Sequence, residues 1–84
     1  MSFEPTLILR KKDLEKSISI LEKEQYSGDD DIVRVAEYLL NVNTYETVKF
    51  DELELVVCQP RLPRFNSLVR DKLRELEIDF RLDN

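Results

Sequence analysis

Three stretches of this chain carry side chains that could do chemistry: the run Asp29-Asp30-Asp31, the single thiol Cys58, and the loop QPRLPRF at positions 59–65. Adjacent carboxylates could hold a divalent cation, but coordination needs at least two of them to converge. Neighbours at a helix start point apart, and there is no Asp-x-Asp-x-Asp-Gly loop. A helix cap accounts for the run better, because carboxylates there accept free backbone N–H groups and meet the positive end of the dipole. A nucleophilic cysteine needs a neighbouring base or a positive field. Arg61 is near in sequence, but Cys58 closes the apolar run LVVC, and a free cysteine in such a setting is expected in the core.

The loop is the strongest local lead. Pro60 cannot continue a sheet ladder and stops the strand before it. Pro63 has the φ of a helical first turn. Leu62, between them, is expected to dock on the core. Arg61 and Arg64 would then sit at a helix N-terminus, where cations are mildly unfavourable. Either they are solvated or paired with the acidic middle of the chain, or they hold an external anion with help from the free N–H groups of the helix. Arg70 and Arg74 extend the patch if they share its exposed side.

Several chemistries are excluded by what the chain does not own. It has no histidine, so the usual general base, the commonest metal ligand and histidine-assisted triads are missing. One cysteine without histidine excludes the Cys/His zinc patterns. A single glycine excludes a Walker loop or a dinucleotide fingerprint. No metal, cofactor or catalytic residue is expected. Carboxylates alone can hydrolyse, but 84 residues bury only about 64% of their unfolded surface and leave little volume for a cleft.

Charge is unevenly placed. Residues 22–54 carry three bases against ten acids, whereas the flanking stretches are each net +1 within a total of −5. Phosphate repulsion disfavours bulk nucleic-acid binding, and a protein with a basic surface is the expected partner. The longest apolar runs are three or four residues, against about 20 for a membrane span. With no basic-then-apolar leader and no possible internal disulfide, a reducing cytoplasm is the expected location.

These side chains need elements to position them. Residues 5–10 read as a strand led by proline. Residues 11–25 place Leu14, Ile18 and Leu21 on one helical face, with Gly28 as a C-terminal stop. Ile32, Val35, Ala36, Leu39 and Leu40 form a second apolar stripe, ended by Asn41-Val42-Asn43. Thr44 to Cys58 is rich in Thr, Val, Tyr and Phe. Either two strands turn at Asp51-Glu52, with a longer or bulged connection preferred because neither residue favours a tight turn, or only the second half is a strand. Leu55-Val56-Val57-Cys58 has the look of a central strand buried on both faces. Residues 63–77 return to helical spacing, with Phe65, Leu68, Val69, Leu73 and Leu76 on one face. Ile78, Phe80 and Leu82 alternate with charges as a half-buried edge strand. The scattered aromatics, Phe50 and Phe80 included, are assigned to the core rather than to a base-stacking platform.

The order β-α-α-β-β-α-β predicts a single α+β domain, a two-layer sandwich with an antiparallel or mixed sheet and helices on one face. The split β-α-β arrangement of ferredoxin-like domains is the template, with an extra helix in the first crossover. The leading functional expectation is a small, acidic, non-catalytic protein that binds and modulates a protein partner, as phage-type inhibitors and accessory factors do. It would present Glu22, Glu24, Asp29, Asp30, Asp31 and Glu37 where phosphates would otherwise lie. The alternative is a regulatory module holding a small anion or nucleotide near Arg61 and Arg64. A homodimer is compatible with both, through an exposed edge strand such as residues 78–82.

Overall fold

A computed structural model describes residues 4–24, 29–45 and 47–83, without the side chains of residues 43–45 and 50. The elements are β1 (Thr6–Arg10), α1 (Lys11–Glu24), α2 (Asp30–Tyr45), β2 (Thr47–Phe50), β3 (Leu53–Cys58), α3 (Pro63–Glu75) and β4 (Arg81–Asp83). The strands form one antiparallel sheet in the order β2-β3-β1-β4. Since β1 and β2 are both antiparallel to the β3 between them, they point the same way. By the same logic β3 and β4 flank β1 in parallel. Two interleaved split β-α-β units result, and all three helices pack on one face of the sheet.

The period-2 alternation of the strands decides which side chains meet the helices. Leu7 and Leu9 of β1 pair with Cys58 and Val56 of β3, and all four are buried. Against them α1 contributes Leu14, Ile18 and Leu21, α2 contributes Ile32, Val35, Ala36, Leu39 and Val42, and α3 contributes Val69 and Leu73. Tyr38 and Phe65 join α2 to α3 edge to face, with ring centroids 5.3 Å apart. Cys58 is fully buried, as its apolar neighbours imply.

Several boundaries differ from the sequence reading, each for a local reason. Helix α2 does not stop at Asn41-Val42-Asn43 but runs to Tyr45, because Val42 continues the core-facing stripe and is buried. Leu40 is not part of that stripe: it lies one position past Leu39 and is 46% exposed. The β2–β3 connection is not bulged. Phe50 pairs directly with Leu53 across two residues, and Asp51 enters the left-handed region at φ 57°, which aspartate tolerates better than most residues. Leu62 does not dock on the core but is 66% exposed, while Pro60 beside it is buried.

The C-terminal strand is shorter than the alternation of Ile78, Phe80 and Leu82 suggests. Helix α3 ends at Glu75 in a Schellman motif. Ile78 N–H donates to the Leu73 carbonyl and Glu77 N–H to the Arg74 carbonyl, with Glu77 at φ 58°. Ile78 is therefore the apolar residue that closes the motif against Leu73, and both are buried. Phe80 is half-buried against the core with the Arg74 guanidinium over its ring, and β4 begins only at Arg81, an edge strand as expected. Gly28 and the aromatics Phe3 and Tyr26 lie outside the described residues, as do the side chains of Tyr45 and Phe50.

The apolar run of β3 is covered on one face only. Val56 and Cys58 meet the helices, whereas Leu55 and Val57 point to the other side and are half-buried. Among the described residues the helices have no counterpart on that side, so strand β3 is central in the sheet without being buried on both faces.

Candidate functional site

The acidic residues gather where α1 ends and α2 begins. Glu22 and Glu24 occupy the last turn of α1, and Asp29, Asp30 and Asp31 the start of α2; Glu37 lies two turns further along α2. All six are exposed. Asp29 works as a cap: its Oδ1 accepts the Asp31 N–H at 2.9 Å and its carbonyl accepts the Val33 N–H at 3.3 Å. Asp31 stands 4.0 Å from Arg34, at the limit of an ion pair between two exposed side chains. Asp30 and Glu37, seven positions apart, fall on the same outer side of α2. No group of three carboxylates or thiols among the described residues is arranged to hold a metal ion. The arrangement thus offers fixed negative charge at one end of a helical hairpin.

The arginines predicted as one anion-binding patch are divided. Arg61 and Arg64 are exposed, and neither takes part in an ion pair among the described residues. Arg64 borders a shallow groove with Asp31, Arg34, Phe65 and Leu68; Arg61 borders another with Tyr38, Val42 and Gln59. The N-cap of α3 is Leu62, which offers no side-chain acceptor, so the N–H groups of the first turn beyond Pro63 have none from a cap. Arg70 and Arg74 stand elsewhere on α3. Arg70 donates to Ser67 Oγ at 3.1 Å, and Arg74 pairs with Asp71 at 3.5 Å and covers Phe80. Six and ten positions from Arg64, they are turned away from it around the helix.

Sequence reasoning missed Asn66. It is fully buried, and its Nδ2 donates to the carbonyls of Pro5 and Pro60, both at 2.9 Å. It ties the start of α3 to the entry of β1 and the exit of β3. Its spacing from Val69 and Leu73, three and seven positions, was the available signal: a polar residue on an apolar helical face needs a buried partner. Its Oδ1 and the Arg70 Nε, one helical turn away, are both buried without a partner. Ser17 is the other fully buried polar residue among those described, its hydroxyl donating to the Leu14 carbonyl at 2.6 Å.

No helix among the described residues is long and apolar enough to cross a membrane. No protein-family model, no curated protein and no solved structure matches the chain.

Proposed function

We propose that this protein acts without catalysis, by binding a protein partner whose surface is basic. The observation that supports the reading is the acidic end of the α1–α2 hairpin, where Glu22, Glu24, Asp29, Asp30 and Asp31 are all exposed, with Glu37 exposed two turns along α2. Carboxylates held on two helices present a rigid anionic surface. A partner site built for phosphates can accept such a surface in their place, as phage-type inhibitors and accessory factors would exploit. Long-range attraction speeds the encounter and makes binding sensitive to salt.

The test is affinity capture at low and at high salt, comparing the unaltered chain with an Asp30→Lys/Asp31→Lys/Glu37→Lys variant. Asp29 is left in place because it caps α2. The expected result is a partner with a basic surface that is eluted by salt and lost in the variant. A partner retained by the variant at high salt would refute the reading.

The second reading is a module for a small anion at Arg61 and Arg64. It is favoured by their exposure without ion pairs beside the uncapped first turn of α3. A thermal-shift panel of nucleotides, phosphate and organic acids distinguishes it. A rise in melting temperature that Arg61→Ala/Arg64→Ala removes supports it, and an unchanged melt across the panel eliminates it.

A further inference from the structure

The uncovered face of the sheet departs from what a two-layer sandwich needs. A solvated antiparallel face normally alternates to polar side chains. Here β3 turns Leu53, Leu55 and Val57 away from the helices, with Val48 of β2 and Ile8 of β1 beside Leu55 and Val57. Val48 is 54% and Leu53 52% exposed. Toward β4 the face becomes charged. Arg10, Arg81 and Asp83 lie on it by register, and Asp79 borders the same shallow depression as Ile8, Leu55 and Arg81. Arg10 is already paired with Asp13 at 2.7 Å, which leaves Arg81 between Asp79 and Asp83, one negative charge in excess on a chain whose net charge is −5. This face is therefore largely apolar and carries little net charge, unlike the acidic helical end.

We propose that a second copy of this chain docks face to face on this surface, about a two-fold axis that crosses the strands. Packed sheets lie about 10 Å apart with strands within about 30° of one another. Such an axis sets β3 over β3 and β4 over β4 in opposite directions. The apolar stripe then meets itself, with Leu55 of one copy over Val57 of the other. Along the outer edge Asp79, Arg81 and Asp83 alternate in sign, so opposed edges place each Arg81 against Asp79 of the second copy, twice by symmetry. An axis parallel to the strands would instead lay β2 over β4, setting Val48 near Arg81 and taking Arg81 away from Asp79 of the second copy.

The area sets the size class of the interface. Four strands about 4.8 Å apart, with about five residues at roughly 3.3 Å each, make a face of about 19 by 17 Å. With flanking side chains this is on the order of 500 Å² per copy, near 1,000 Å² in total, at the lower limit for a specific interface. An interface of this size fits a weak, reversible dimer rather than an obligate one. Because both copies are acidic overall, added salt tightens it. Salt has the opposite effect on the acidic-end contact proposed above, so the two surfaces are distinguishable.

Sedimentation velocity from micromolar to millimolar loading tests the proposal. The expected result is a mass rising from monomer to dimer, more readily at higher salt. Leu55→Glu should hold the chain monomeric while its thermal melt stays cooperative. Arg81→Asp should weaken the dimer about tenfold, and the exchange Asp79→Arg/Arg81→Asp should restore it. A chain monomeric throughout overturns the proposal and leaves a different protein as the occupant of the face. So does a dimer indifferent to Leu55→Glu, or an exchange variant no tighter than Arg81→Asp alone.

Discussion

Removing the two hydrogen bonds of Asn66 should destabilise this protein more than any surface change. The residue is fully buried, and its Nδ2 is the donor to the Pro5 and Pro60 carbonyls. Asn66→Ala leaves two carbonyls without that donor, at about 1–3 kcal/mol for each buried acceptor. The Pro5 bond is only part-buried, and the variant also removes the unpartnered Oδ1, which offsets some of the loss. A net loss of about 2–4 kcal/mol is expected, against a total of about 4–13 kcal/mol for a domain of this size. The melting temperature should fall by on the order of 10–30 °C.

Asn66→Asp sharpens the test, since an ionised carboxylate is nearly isosteric but only accepts. At neutral pH it should be at least as damaging as Asn66→Ala. Burial and the two facing carbonyls raise the folded-state pKa of the introduced acid. The folded variant therefore binds the proton more tightly than the unfolded one. Its relative stability is fullest below the unfolded value of about 3.9 and is lost as pH rises through the raised folded value. Urea titrations at pH 4 and pH 7.5, each referenced to the unaltered chain at the same pH, should show the narrower gap at pH 4. If Asn66→Ala stays within about 0.5 kcal/mol of the parent, or the Asn66→Asp gap is the same at both pH values, the donor role assigned to Asn66 is wrong.

Other consequences can be checked by the same urea titrations. Leu39→Ala should lose about 2–5 kcal/mol and its neighbour Leu40→Ala under about 0.5 kcal/mol, because Leu39 is fully buried and Leu40 is 46% exposed. Glu77→Gly should gain up to about 1 kcal/mol, since the residue holds φ 58° at the end of α3 with its side chain exposed. Asp29→Ala should lose about 0.5–2 kcal/mol through the missing cap of α2, whatever the partner-binding role of the neighbouring carboxylates.

The helices were legible because their burial is one-sided and periodic. Leu14, Ile18 and Leu21 on α1 and Ile32, Val35, Ala36 and Leu39 on α2 announce their faces by spacing alone, and all are buried. Two prolines marked the end of β3 and the start of α3 for stereochemical reasons that hold in any context. Ile78 misled because period-2 alternation looks the same in a strand and across a helix stop. The Schellman bond from Ile78 to Leu73 depends on Glu77 taking a left-handed φ, which a non-glycine residue does not advertise. Asp51 concealed the tight hairpin in the same way. The arginines looked like one patch because they are close in sequence, but the helical rotation between Arg64, Arg70 and Arg74 disperses them.

The information carried by residue order alone is local and compositional. The order of elements, the faces of the helices, the absence of histidine and glycine-loop chemistry, and the acidic middle third all follow from residue identity and spacing. Tertiary structure decided the rest. It brought Asn66 under the carbonyls of Pro5 and Pro60 and placed β1 between β3 and β4. Above all it placed the three described helices on one side of the sheet, so among the described residues no helix lies over the side of β3 carrying Leu55 and Val57. An apolar residue records only that it gains by leaving water. Which surface covers it is settled by long-range pairing, which no single residue encodes.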